Sequence, residues 1–402
     1  MGIGQRVAAW LAPERAVARA EEAKSWAPAG GTLFLAGGGA GEESWRERSY
    51  EALARGGFMR NPVVHRCVAM IAEAASSAPL LIYRGAEEVA GHPILALLRR
   101  PNPTEDGAGF LQTLCGHLLL SGNAFVQAVR PDGRDEALHL LRPDRVRVIA
   151  AADGWPEGYE YRAGRRVLRL PAEEPGGGRG PVLHVRLFHP LDDGTGLSPL
   201  VAAQGALDLH NAAARWNTAL LENSARPSGA LVFKPAEGGN LSPEQFDRLK
   251  AELEAGYSGA ARAGRPMLLE GGLDWKAMAL SPRDMDFMEA KNGAARDIAL
   301  AFGVPPMLLG IPGDATYSNF QEANRAFHRQ TVMPLMRRLA AALGGWLAER
   351  GGEPELRLAF DEDRLDGLAA ERDALWTRVG AADFLGEDEK REAVGYGPRQ
   401  AA

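Results

Sequence analysis

Residues 302–320 read FGVPPMLLGIPGDATYSNF, and no other stretch constrains the fold of this chain as much. Three prolines, three glycines and one charged residue, Asp314, separate two segments of helical period. Proline lacks a backbone N–H and its ring clashes with the preceding turn, so neither flanking helix can run through the segment. Upstream, a helix over 282–302 carries Met285, Met288, Ala295, Ile298 and Phe302 on one face. Downstream, Ser318 and Gln321 form a capping box for a helix that runs toward residue 350. Pro334 lies inside that helix and predicts a kink or a break, and Gly344 and Gly345 are expected to weaken its end. Taken from its residues alone, 302–320 is a buried, proline-rich corner between two helices. With no flanking basic belt, it is a poor membrane-inserting loop.

Upstream of this corner the chain changes period several times. Residues 1–58 read as a flexible arm, whose glycine cluster lacks the Gly-Lys-Ser/Thr ending of a phosphate loop. Order is expected from Asn61, an N-cap followed by Pro62 at the first helical position. A second helix covers GAGFLQTLCGHLLLSGN, and LLIYR, AFVQAVR, ALHLL, RVRVIA, YEYR, VLRL and VLHVRLF alternate as short strands. Residues 59–197 therefore form an α+β unit around an antiparallel sheet. Ser198-Pro199, Ser242-Pro243 and Ser281-Pro282 each open a helix. The first of these is long, over 198–224, and the second covers 242–256. PMLLEGG and LDWKAMAL read as a strand pair. Two longer helices thus flank a compact insert, 226–280, whose seven basic and seven acidic residues balance. The tail, 355–402, carries twelve acidic and seven basic residues and so holds most of the net charge of −6.

That net charge argues against a protein built to grip nucleic acid, but not against one past which DNA slides. Cys67 and Cys115 have no metal or redox spacing and are expected as buried thiols. The N-terminus is a poor signal peptide, and no run of 18 apolar residues free of proline suggests a membrane span. Catalytic constellations fail one by one. His184 and His189, five apart on a strand, point to opposite faces. DEDRLDG at 361–367 places Leu365 and Arg372 where a calcium loop needs oxygen ligands. DDGTG at 192–196 and NSARPSG match no hydrolase loop. His65, His117, His139, His210 and His328 are scattered. No metal, no cofactor and no catalytic residue is expected.

The order of elements, with GLSPL, SARPSGALVF, RPMLLEGGLDWKAMALSPRDMDFMEA, IALAFGVPPMLLG and ATYSNFQEANRAFHRQTVMP, resembles the portal proteins of tailed bacteriophages. The match is to the long-tailed type, which gene transfer agents share. The resemblance implies an α+β, portal-type, multi-domain subunit. Residues 59–197 become the wing, 198–225 and 281–303 the stem helices, and 226–280 the clip. Residues 304–318 become the tunnel loop, 319–350 a kinked tunnel helix, and 351–402 an acidic wing return or crown. It further implies a homo-oligomeric ring, expected as a dodecamer, at one capsid vertex of a phage or gene transfer agent particle. Double-stranded DNA would be packaged and ejected through it. The implied partners are the terminase large subunit, the major capsid protein and the head–tail adaptor, with no membrane. Asp314, Ala315, Thr316, Tyr317, Ser318 and Asn319 are then expected to line the narrowest point. Between Ile298 and Gln321 there is no basic residue to hold a phosphate. Arg226, Lys234, Arg262 and Arg265 are candidates for adaptor contact.

Two other classes stay open on the residues. One is a soluble α+β enzyme or nucleic-acid-processing factor with an unrecognised site. The other is a smaller head–tail connector, which would lack the α+β unit.

Overall fold

Asn61 starts the first long helix as its sequence requires. The structure, a computed structural model, describes residues 50–85, 87–129, 137–152, 154–174, 177–222, 229–233, 242, 244, 247–248, 273–277, 287–313 and 317–396. Packing begins earlier than Asn61, with α1 (Tyr50–Leu53) and a π turn over Ala54–Phe58. Leu53 is buried, and Tyr50 Oη meets His117 Nδ1 at 3.0 Å. In α2 (Pro62–Ser77) the Asn61 carbonyl oxygen of the side chain accepts the Val63 and Val64 N–H groups. The Asn61 amide donates to Asn211 Oδ1 and to His210 Nδ1, so one buried residue both caps α2 and ties it to a helix 150 positions away.

The elements that follow are β1 (Leu80–Arg84), β2 (Glu87–Glu88), α3 (Pro93–Arg99), α4 (Gly107–Ser121), β3 (Asn123–Val129), β4 (Ala137–Leu141), β5 (Val146–Ala150), β6 (Pro156–Ala163), β7 (Arg166–Pro171) and β8 (Val182–Arg186). Helices α2 and α4 bury Val64, Cys67, Val68 and Ile71 with Phe110, Leu114, Cys115 and Leu118. Each fully buried aliphatic side chain contributes about 1.5–3 kcal/mol. Burial pushes both thiols up to about 12, which leaves them protonated and inert, as the sequence suggested.

The expected single sheet is instead three separate antiparallel ones. They are β4–β3–β8, β5–β6–β7, and a sheet in which β1 lies between β2 and a strand from the C-terminal region. The last follows α5 (Pro199–Ala202), α6 (Gln204–Glu222), β9 (Gly229–Phe233), β10 (Leu273–Ala277), α7 (Phe287–Phe302), α8 (Tyr317–Phe327) and α9 (Met333–Gly351), and is β11 (Leu356–Phe360). It pairs with β1 from Leu80↔Phe360 to Arg84↔Leu356. α10 (Ala369–Gly380) and α11 (Glu387–Ala393) complete the described chain. This sheet thus takes its third strand from beyond residue 350, and β11 brings Leu356, Leu358 and Phe360 into the main core.

Several local expectations need adjustment. Ser198 caps a helix, its Oγ accepting the Leu200 N–H, but the expected long helix is interrupted at Ala203. β10 pairs with β9, Leu273↔Phe233 through Ala277↔Gly229, whereas PMLLEGG lies outside the described residues. Of the 242–256 helix only Ser242, Glu244, Asp247 and Arg248 are described. Helix α8 starts at Tyr317, so Ser318 lies in its first turn instead of capping it. The irregularity expected at Pro334 is a π turn, His328–Val332, immediately before it. A wider turn accommodates the missing Pro334 N–H without breaking the helix. Gly344 and Gly345 do not end α9, which continues to Gly351.

Candidate functional site

The segment 302–313 is a packed corner, and its glycines and one arginine determine its shape. Gly303 takes φ +68°, and the N–H of Val304 returns to the Ala299 carbonyl at 2.9 Å, closing α7 in a left-handed cap. The Gly303 carbonyl accepts from Thr331 Oγ1 at 2.6 Å. A Cβ on Gly303 would stand 2.6 Å from that hydroxyl, so any other residue would push Thr331 aside and strain the left-handed backbone. Pro305 and Pro306 then open a 3-10 turn over Pro306–Leu309, which ends at Gly310 with φ +71°. Val304 is buried, and Leu308 and Leu309 pack against the main core. The Arg296 guanidinium, on α7, donates to the Pro312 carbonyl. The corner therefore does have a basic partner, one that lies two residues before the uncharged stretch and reaches back to it.

Beyond Gly313 the expected lining residues divide. Asp314, Ala315 and Thr316 lie outside the described residues. Tyr317 is the first residue of α8, and Ser318 and Asn319 follow it as exposed residues of the first helical turn. Arg226, Lys234, Arg262 and Arg265 also lie outside the described residues.

The basic residues that follow on α8 and its π turn are held by carboxylates. Arg325 pairs with Glu322, three residues before it. Glu371, in the first turn of α10, lies 3.4 Å from Arg325 Nε and 3.4 Å from Arg329 Nη1. Arg337 on α9 meets Glu362 at 2.8 Å. The Arg325–Glu322 pair is an ordinary helical spacing, whereas the pairings with Glu371 and Glu362 are not legible as a sequence pattern, because those partners come from chain segments that meet only in the fold.

A second concave region, among the described residues, is built from groups that hold the backbone in place. A hollow between α1, β3, β5 and the loop after β8 is lined by Tyr50, Ser121, Asn123, His189 and Thr195. Its polar groups fasten backbone. Asn123 Oδ1 accepts the Gly196 N–H at 2.7 Å and His184 Nε2–H at 2.9 Å, and Asn123 Nδ2 donates to the Gly196 carbonyl. Ser121 Oγ lies 2.9 Å from the His117 carbonyl and 2.6 Å from the Asn123 carbonyl. Asp192 closes DDGTG into a turn through the Gly194 and Thr195 N–H groups. His184 stacks on Phe125 at 4.3 Å, while His189 lies beyond the end of β8, so the pair does not share a strand. Burial pulls His117 and His184 down to about 4, which keeps both neutral and structural at pH 7. Among the described residues no group of three or more His, Cys, Asp or Glu side chains could hold a metal ion. No described helix is long and apolar enough to cross a membrane.

Comparison with known proteins agrees with this picture. The family model described as phage portal protein matches residues 62–395. An uncharacterized protein of Rickettsia bellii (strain RML369-C) is 41% identical over 342 residues, covering 84% of this chain and 87% of that protein. A probable portal protein of Streptomyces phage phiC31 is 28% identical over 392 residues, covering 94% of this chain and 82% of that one. Among solved structures, a chain in the neck of a native gene transfer agent particle, computed with C12 symmetry, shares 51% identity and superposes with a TM-score of 0.69. It covers 88% of this chain and 94% of that chain.

Proposed function

The chain belongs to the phage portal protein family, and from that premise we infer that copies of it form the ring-shaped channel in the neck of a gene transfer agent or phage particle. The observation that carries this reading is the 51% identity, over 88% of this chain, to a chain in the neck of a native gene transfer agent particle computed with C12 symmetry. The family is structural. This chain has no catalytic role of its own in the reading, and the hydrolysis that drives DNA inward belongs to a separate motor. Family membership leaves the enzyme alternative without support.

Within the subunit, residues 59–197 serve as the wing, completed by β11. The helices at 198–225 and 281–303 serve as the stem, and 226–280 as the clip. The clip docks the terminase large subunit during packaging and the head–tail adaptor afterwards, with Arg226, Lys234, Arg262 and Arg265 as candidate contacts. The wing meets the major capsid protein. What supports the division is the order of elements: β9 and β10 pair with each other between two helices that pack together, α6 and α7.

Asp314, Ala315, Thr316, Tyr317, Ser318 and Asn319 line the DNA path. The packed corner at 302–313 supports this reading because it is a fixed base from which a short segment can project. In a ring, Asp314 recurs in every subunit and repels phosphate, so the duplex slides in both directions. Replacing Asp314 with Arg reduces the DNA packaged per particle, measured as nuclease-protected DNA normalised to capsid protein. Packaging equal to wild type contradicts the placement of this segment on the path.

A further inference from the structure

Two arginines follow the proposed DNA-lining segment, Arg325 on α8 and Arg329 in the π turn. Both guanidinium groups lie 3.4 Å from the same atom, Glu371 Oε1, and that of Arg329 donates a hydrogen bond to it. Glu371 comes from α10 and is more sheltered than either arginine, its side chain 30% exposed against 41% and 62%. One carboxylate between two guanidinium groups has the arrangement of a backbone phosphate between paired arginines, at a longer distance than a tight charge-assisted hydrogen bond. Glu322 is the nearer, hydrogen-bonded partner of Arg325, while Arg329 hydrogen-bonds Glu371 itself. Arg372 and Arg378 line the same hollow, where Glu362 is already engaged by Arg337. Asp363 lines it as well, so that without Glu371 four arginines face two carboxylates and the hollow becomes basic.

We propose that Glu371 is an internal substitute for DNA phosphate, which occupies Arg325 and Arg329 and so keeps the helix after the loop from gripping the duplex. The inference rests on the reading that this helix and the segment before it face the DNA path. Each arginine that neutralises a phosphate tightens binding and steepens its salt dependence. Exposed ion pairs of this kind contribute little to stability, so the carboxylate can be removed without unfolding the chain.

The test uses rings of the full chain and a short fluorescent DNA duplex, with affinity measured by anisotropy across a salt series. Glu371→Gln is expected to bind about tenfold tighter at low salt with a steeper salt slope, and to melt at the wild-type temperature. Adding Arg325→Gln and Arg329→Gln to Glu371→Gln returns both affinity and slope to wild type. A gain that survives in this triple variant overturns the proposal, since it arises elsewhere. Asp314→Lys separates the two readings. If it tightens binding while Glu371→Gln does not, the shielding role of Glu371 is wrong and the channel reading stands. If neither changes binding, the segment and its helix do not face DNA and both readings fall.

Discussion

The guanidinium of Arg296 donates to the carbonyl oxygen of Pro312, sixteen residues further along the chain. This contact anchors the far end of the proline-rich corner to the helix that leads into it. The near end is fixed by Gly303, whose carbonyl accepts from Thr331. Between these two ties the chain turns from α7 toward α8.

Arg296→Ala removes the far tie alone. The bond is exposed, so the loss of global stability is about 1 kcal/mol or less. Local opening becomes easier, and limited proteolysis followed by mass spectrometry should show faster cleavage between residues 310 and 317. Cleavage at the wild-type rate would mean that the corner holds without Arg296.

Two adjacent glycines should respond to alanine in opposite directions. A Cβ on Gly344 would lie 2.6 Å from the Leu358 Cβ, because α9 packs directly on β11 at that point. Gly344→Ala forces that contact apart and costs about 1–3 kcal/mol. A Cβ on Gly345 meets nothing within 4 Å. Gly345→Ala stabilises the helix by up to about 1 kcal/mol. Urea midpoints of the two variants check both signs.

Acid sensitivity should carry a histidine component. His184 is held down at about 4 by burial, with Arg186 adding to the shift, against an ordinary value near 6.5. The folded state therefore excludes a proton that the unfolded chain binds. The stability this represents is fully present above about pH 6.5 and is lost as pH falls through about 4. Asn123 Oδ1 also accepts the Gly196 N–H, so it can only accept from His184, which fixes the proton on Nε2. His184→Gln retains an N–H donor near that position and removes the titration. The thermal midpoint of this variant should fall less steeply between pH 6.5 and 4, by the equivalent of about 1–3 kcal/mol. Parallel pH curves would show that His184 titrates normally.

Features set by neighbouring residues were legible in the sequence. Asn61-Pro62 and Ser198-Pro199 cap helices through contacts two or three residues away, and short strands form between 123 and 186 where the sequence places them. The corner at 302–313 was also legible, because prolines and glycines act locally. What was not legible depends on partners distant in the chain. Nothing near LLIYR announces that it pairs with Leu356–Phe360, and nothing near Gly344 distinguishes a helix-weakening glycine from one that admits a neighbouring strand. The uncharged run after Ile298 hid the return of Arg296, and the shielding of Arg325 and Arg329 depends on a glutamate more than forty positions away from either. The ring itself came from resemblance, since surfaces that meet another copy leave no periodic signal in one chain.

The most direct test of the central claim is the mass and shape of the purified full-length protein, by light scattering and negative-stain imaging. The account predicts annular particles with a central hole and a mass near twelve times the 43.1 kDa of one chain. A compact monomer or dimer, with no hole under any assembly condition including the presence of capsid and adaptor proteins, would contradict it.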